Sequence, residues 1–477
     1  MEQLSKTFLW GAATAASQYE GGFQENGRGL SLADVLPYGK DRMPVCLGIK
    51  DYKEVSQSAE YPSRIAVDGY HRWKTDIKYM AKMGLKCYRF SVSWTRIFPT
   101  GEEEKPNEDG IKFYESIIDE LLENKIEPIV TLNHFDIPVA LIEKYESWRS
   151  RKVIELYEKY CEVLLRRFIG KVKYWITFND INMILHMPFA GAGICVKEDE
   201  NRTQVLYQAA HHELVASARV VKIAHEIDSD YQMGCMLAAG KVYPYTCSPE
   251  DVWDAFSKDR ENNFFIDVQA RGTYPSYMLR QLQNNGVKIE MNEEDRKVLK
   301  ENTVDFVSIS YYSSRCTSKN QELKKTDSNA FTSIKNPYLL SSEWGWEIDP
   351  LGFRTTLNEL YDRYQKPIFV VENGLGAVDE LDENGEIHDS YRIEYLKEHI
   401  CAMMDAVLLD GVEIIGYTAW SAVDIVSAAT GQMKKRYGFV YVDRDESGNG
   451  SYERKEKDSF YWYKKVIATN GTCLRKK

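Results

Sequence analysis

No stretch of this chain approaches the roughly 18 consecutive apolar residues that a membrane-spanning helix requires, so a spanning segment is not expected and the protein reads as soluble. Positive charge is not in excess: 61 Lys and Arg stand against 72 Asp and Glu, a formal net charge of −11. The acids are scattered along the whole length, and sequence-independent binding to nucleic acid or to an anionic membrane needs a basic face. Both partners are therefore excluded. Cysteine spacing is uninformative in a useful way. The nine cysteines are odd in number and spread out, without a Cys-x-x-Cys pair, which argues against a disulfide framework and for a reducing cytoplasm. Cys87, Cys235 and Cys401 lie in apolar runs and read as small core residues. The eight histidines show no His-x-x-x-His spacing, and the adjacent pair His211-His212 points to two sides of a helix, so no metal is expected. No Pro-, Gly- or Ser-rich linker divides the chain, so residues 1–477 read as a single domain. No Gly-x-Gly-x-x-Gly follows the first apolar run, which disfavours a dinucleotide-binding sheet.

What is present is core-forming material. Hydrophobic residues make up 43% and aromatics 12%, too much for a disordered chain. Eight short apolar or β-branched runs recur, each followed by helical spacing: Phe8–Ala13, Cys87–Val92, Pro128–His134, Tyr174–Asn179, Met233–Leu237, Val304–Tyr311, Pro367–Asn373 and Glu413–Trp420. The first, continued to Ser17, has the letters of a signal-peptide core. Its flank Met1–Lys6 is not a basic one, and a buried strand explains it. Between the runs lie amphipathic stretches such as Ile111, Tyr114, Ile117, Ile118, Leu121 and Leu122, or Tyr157, Tyr160, Cys161, Leu164, Leu165 and Phe168, with apolar side chains at steps of three and four. Strands alternating with helices need parallel crossovers, and eight repeats predict a closed (β/α)8 barrel of the α/β class. The intervals 34–66 and 313–345 are then loops around its mouth.

In such a barrel the chemistry sits where the strands end. Those ends carry Gln18 and Glu20, Arg89, Asn133 and His134, Asn179 and Asp180, Tyr311 and Tyr312, Glu372 and Asn373, and Trp420 with Asp424 beyond. Two carboxylates, an arginine, amides and aromatic faces suit carbohydrate: amides and carboxylates grip hydroxyls, rings cover the apolar face of a pyranose, and paired carboxyls flank a scissile glycosidic bond. Taken singly, Asn-Asp or Glu-Asn-Gly is an ordinary turn signal; the force is in their joint placement.

Phe8-x-Trp-Gly-x-Ala-x-Ala-Ala-Ser-Gln-x-Glu20, Tyr88-Arg-Phe-Ser-Val-Ser-Trp-x-Arg-Ile-Phe-Pro-x-Gly101, Thr177-Phe-Asn-Asp180 and Val371-Glu-Asn-Gly374 resemble the signatures of family-1 glycoside hydrolases, and the match runs from Phe8 to Phe460-Tyr-Trp-Tyr463. The resemblance implies retaining β-glycosidase activity on a barrel without cofactors. It implies Glu372 as nucleophile, Asp180 at the acid/base position, Arg89 and Tyr312 holding Glu372, and Gln18, His134, Asn179 and Trp420 lining the glycone subsite.

Two departures matter. The family has Glu where this chain has Asp180, one methylene shorter, which withdraws the carboxyl by about 1.5 Å. A misplacement of about 1 Å can cost on the order of a hundredfold in rate. Three explanations stand: a natural enzyme whose backbone compensates, an engineered substitution that traps ligand, or a phosphosugar-binding relative without turnover. Second, the segment after Trp420 has Ser427 and Ala428 where members acting on plain sugars resemble Glu-Trp. Like charges about 4 Å apart repel by about 4 kcal/mol at an effective dielectric near 20, so losing that Glu makes room for a phosphate. Ser427, Lys435 and Tyr437 resemble the phosphate site of the 6-phospho-β-glycosidase branch, although Met433–Tyr437 taken alone is an ordinary solvated basic turn. Ala428 favours gluco over galacto, and Trp344 or Trp346 would wall the aglycone.

The expected activity is retaining hydrolysis of 6-phospho-β-D-glucosides, with a small phosphorylated disaccharide or aryl glucoside as partner and a cytoplasmic setting. The alternatives are a β-glucosidase, a 6-phospho-β-galactosidase, or a protein that binds without turnover. The sequence leaves the aglycone unassigned and leaves room for a homo-oligomer.

Overall fold

The computed structural model describes residues 3–475 except 57, 321, 324, 329 and 330. Eight strands form a closed parallel barrel in sequential order: β1 (Leu9–Ala13), β2 (Cys87–Ser91), β3 (Glu127–Asn133), β4 (Tyr174–Phe178), β5 (Gln232–Ala239), β6 (Phe306–Tyr311), β7 (Ile368–Asn373) and β8 (Ile414–Trp420). Each lies within two residues of its expected bounds. Closure is made by β1 against β8, with Leu9 opposite Gly416 and Ala13 opposite Trp420. The barrel interior is filled by Cys87, Ile129, Ile176, Met236, Phe306, Phe369 and Val371, one or two from each contributing strand.

The major helices are α1 (Gly69–Met83), α2 (Glu108–Glu123), α3 (Lys152–Arg167), α4 (Arg202–Ile227), α5 (Pro249–Arg271), α6 (Pro350–Tyr364), α7 (Ser390–Leu408) and α8 (Asp458–Ala468). The sequence explains α2 well. Asn107 caps it by accepting from the Asp109 N–H, and Ile111, Tyr114, Ile117, Ile118 and Leu121 form the stripe buried on the barrel. Leu122 corrects the expected stripe: it lies one step round the helix and stays 38% exposed. All six expected residues of α3 and its end, from Tyr157 to Phe168, are fully buried. Cys87 and Cys235 are buried in barrel strands, whereas Cys401 is only half-buried on α7, whose inner face runs through Leu396, Ile400 and Met403.

The mouth at the strand C-termini is built up by the two long intervals. The first, 34–66, contains short helical turns; the second, 313–345, contains a hairpin of Lys325–Ser328 and Phe331–Ile334.

Candidate active site

β7 delivers its carboxylate through an irregularity. Phe369 and Val371 point into the barrel, so strict alternation would turn Glu372 outward toward the helices. One extra residue between Val370 and Glu372, relative to β6, shifts the register. Such a bulge re-aims the side chain that follows it. Glu372 thereby reaches the mouth, while Asn373 turns outward and is fixed by Tyr311 O (2.6 Å), the Tyr395 hydroxyl (3.2 Å) and the Tyr417 hydroxyl (2.7 Å). Gly374 is required next: a Cβ there would stand 2.0 Å from the Trp420 carbonyl oxygen.

Glu372 is held from two sides. Arg89 Nη1 donates to Oε1 at 2.5 Å and the Tyr312 hydroxyl donates to Oε2 at 2.7 Å. Arg89 is itself fully buried, and its other nitrogens reach Asn179 Oδ1 (2.7 Å) and Thr131 Oγ1 (2.9 Å). One guanidinium therefore ties together the ends of β2, β3, β4 and β7.

Asp180, two residues past β4, is in the left-handed region at φ 37°, which Asp tolerates better than most residues. Its Oδ1 accepts from the Ser310 hydroxyl at 2.8 Å. Burial, and then the negative charge of Glu372, push its carboxyl up to about 8, against the opposing pull of Ser310, Arg89 and Arg315. One carboxyl gripped by a cation and a phenol, and a second whose burial favours the protonated form, is the division of labour that acid–base cleavage of a glycoside demands.

Both carboxyls line a cavity of about 950 Å³, open to solvent, together with Gln18, His134, Asn179, Tyr312, Trp346, Trp420, Ser427 and Tyr437. Gln18 Nε2 donates to Val426 O at 2.7 Å. His134 lies stacked on Trp420, centroids 5.9 Å apart. Burial, and then Arg89, hold His134 well below its usual range, and its Nδ1 has no hydrogen-bond partner among the described residues.

Several expected residues are elsewhere. Trp344 does not line the cavity; its Nε1 donates to Gln432 Oε1 at 3.3 Å. Lys435 also lies outside the lining, one layer behind Trp346: its Nζ is 3.9 Å from that ring, 5.3 Å from Trp344 and 5.8 Å from Tyr437. Gly376 permits this packing, since a Cβ there would meet Lys435 and Tyr437 carbons at 2.8–2.9 Å. Lys435 Nζ has no hydrogen-bond partner among the described residues, and burial brings the amine down to about 7. Lys434 is exposed, but Lys435, Arg436 and Tyr437 are buried, so the segment as a whole is no solvated basic turn. Asp424 is structural, accepting from Lys457 (2.7 Å) and Arg436 (3.0 Å). Glu20 is taken by Arg96 (2.6 Å) and Tyr114 (2.7 Å), and Asn133 closes a turn onto the Phe135 N–H. His211 and His212 are likewise buried within the fold, the first beside Asp295 and the second against Trp148 O.

Sequence reasoning missed three residues. Ser310 follows the alternation Phe306, Ser308, Ser310 that faces the barrel interior, a signal that was available. Arg42 binds the carbonyls of Ala428 and, at 3.1 Å, Ala429, fixing the Ser427 loop from a segment almost four hundred residues away. Arg315 lines the cavity beyond β6. No local pattern marks either arginine.

A barrel whose strand ends converge on two differently held carboxyls defines a glycoside-cleaving enzyme. The chain belongs to glycosyl hydrolase family 1, whose sequence pattern matches residues 1–472. It is 55% identical over 475 residues to the 6-phospho-beta-glucosidase AscB of Escherichia coli, covering 99% of this chain and 100% of that protein. To the aryl-phospho-beta-D-glucosidase BglH of Bacillus subtilis it is 53% identical, covering 98% of each. Its fold is similar to that of the family 1 β-glucosidase from Thermotoga maritima, with a TM-score of 0.83 at 32% identity over 98% of each chain. Among the described residues, no helix is long and apolar enough to cross a membrane.

Proposed function

We propose that this protein hydrolyses 6-phospho-β-D-glucosides to glucose 6-phosphate and an aglycone, with net retention at the anomeric carbon. Glu372 attacks that carbon while Asp180 gives its proton to the departing oxygen; Asp180 then takes a proton from water, which releases the sugar from Glu372. Gln18, His134, Asn179 and Trp420 line the glycone, and of the two tryptophans it is Trp346 that faces the cavity, packed beside Tyr437 and Lys435.

The observation that carries the phosphate assignment is Lys435. Holding Lys435 as an ammonium with no anionic partner is costly, and its amine sits beside Tyr437, in the segment where the sequence lacks a carboxylate. Three rings hold the amine in the absence of a counter-ion. A phosphate reaching Ser427 and Tyr437 would supply the missing charge, and the relatives named for phosphorylated glucosides support the same reading. A charged substrate and nine free cysteines support a reducing cytoplasm as the working compartment.

The test is the initial rate on p-nitrophenyl β-D-glucoside 6-phosphate beside the unphosphorylated compound. Turnover confined to the phosphorylated compound is expected. Equal rates on both would remove the phosphate site, and release from neither would remove the hydrolytic reading. A 6-phosphogalactoside in the same assay is expected to react more slowly, following Ala428.

A further inference from the structure

Arg315 is the single cation among the residues that line the cavity holding Asp180 and Glu372. It opens the short strand Arg315–Thr317, which pairs in parallel with Val242–Pro244. Its guanidinium lies over the Phe331 ring, 3.3 Å from the centroid. It also passes over Gly240, where a Cβ would stand 3.6 Å from both Nε and Nη2.

Arg315 is half-buried at the cavity surface and has no protein counter-ion among the described residues. Asp259, Tyr311 and Asp180 are the groups of opposite polarity that act on it, yet they do not overcome burial, which brings the guanidinium down to about 10. Asp259 is engaged by Lys241 at 3.0 Å, Tyr311 by Ser314 at 2.7 Å, and Asp180 by Ser310. Among the described residues, no carboxylate lies within ion-pair distance of Arg315 and no hydrogen bond reaches its side-chain nitrogens.

The surroundings say what would complete it. Arg315 follows β6 and lies on the Asp180 side of the mouth, whereas Ser427 and Tyr437 follow β8. Asp180 is the group that protonates the leaving oxygen, so Arg315 faces the leaving group rather than the sugar phosphate. Met183 and Met187, just past Asp180 in the chain, add apolar side chains to the cavity lining, while the Phe331 ring is packed between the guanidinium and His186, whose ring centroid is 4.3 Å away. A guanidinium fork pairs with a carboxylate through two parallel hydrogen bonds.

We propose that Arg315 determines aglycone specificity, accepting an aromatic leaving group that bears a carboxylate, its ring against the two methionines and its carboxylate on the guanidinium that Phe331 holds in place. This rests on the hydrolytic reading above. It also has a chemical consequence: a carboxylate on Arg315 cancels the positive charge that pulls the proton from Asp180, so the preferred aglycone helps keep the acid protonated.

Binding of the S-linked analogues separates these points, because slow cleavage leaves affinity measurable. Calorimetry would compare S-(4-carboxyphenyl) 6-phospho-β-D-1-thioglucoside with its methyl ester, for the full-length chain and for Arg315→Met and Arg315→Gln. The carboxylate is expected to bind about tenfold to a hundredfold more tightly than the ester, the worth of one charge-assisted hydrogen-bonded pair, with the ratio falling close to one in both variants. Equal affinity in the parent chain overturns the proposal without recourse to any variant, as does a preference that survives in Arg315→Gln. Failure of the underlying reading would show differently, as an affinity indifferent to removing the 6-phosphate from either thioglucoside.

Discussion

Ser310 donates its hydroxyl hydrogen to Asp180 across 2.8 Å, so the carboxyl proposed as the acid is held by a side chain from β6, not from its own strand. That bond favours the ionised form of Asp180 and fixes its direction. Ser310→Ala is therefore expected to lower kcat by about tenfold, since a mispositioned acid costs rate before it costs binding. The alkaline limb of the pH–rate profile should move to higher pH, because one group that lowers the Asp180 pKa is gone. A limb that moves to lower pH would refute this assignment.

Asp180 itself can be tested from both sides. Asp180→Glu restores the missing methylene and is expected to raise kcat most for sugar or alkyl aglycones, which need full protonation, and least for p-nitrophenol, which leaves without it. Asp180→Asn is expected to lose at least about a hundredfold on phosphorylated cellobiose. Its stability should change the opposite way. The folded-state pKa lies above the unfolded value, so the native state binds the extra proton and Asp180 costs stability increasingly as pH rises from about 4 to about 8. The Asn variant should thus melt higher than the parent at pH 8, with the gain vanishing near pH 4, as scanning calorimetry would record.

Glu372→Gln removes the proposed nucleophile and leaves Arg89 buried without a counter-charge. Turnover should fall by at least about four orders of magnitude, beyond what a positioning defect gives. Loss of one partner of a buried ion pair costs up to about 3–5 kcal/mol, and the amide oxygen recovers part of that by still accepting from Arg89. A melting temperature lowered by several degrees, with retained binding of glucose 6-phosphate, is the expected pair of results.

Lys435 predicts a proton balance. Burial has brought the amine down to about 7, so at pH 8 most of the empty protein has it neutral, and phosphate binding should draw one proton from solution. Calorimetric titration in two buffers of different ionisation enthalpy measures that uptake directly. Lys435→Met should abolish it and weaken phosphorylated ligands by about a hundredfold. Ser427→Glu should weaken them at least as much, through repulsion in a dry site, while leaving unphosphorylated glucosides unharmed.

The barrel was legible because its signal is repeated: eight apolar runs, each too short for a helix and each followed by helical spacing, leave few architectures open. Glu372, Asp180, Gln18 and Trp420 were legible because they sit within a few residues of a strand end. What was hidden depends on side chains meeting across the sequence. Lys435 was expected at the cavity wall, but a lysine stem can fold behind an aromatic ring, and only Trp346 in three dimensions shows that it does. Asp424 has the placement of a ligand-binding acid and is consumed by Lys457 and Arg436. Trp344 and Trp346 are two residues apart, and nothing local distinguishes the one that faces the cavity.

Closure of the barrel joins Leu9 to Gly416, and the same seam is tied from outside, where Tyr463 of α8 donates to Gly11 O at 2.8 Å. Pairings so distant along the chain form late, because long loops must be closed before any contact rewards them. During synthesis β1 therefore waits, unpaired on one edge, until more than four hundred residues have left the ribosome. Gln18 and Trp420 lie on opposite sides of that seam, so the sugar pocket is completed only as the last strand docks, and a nascent chain stalled before β8 would expose two open sheet edges and no working site.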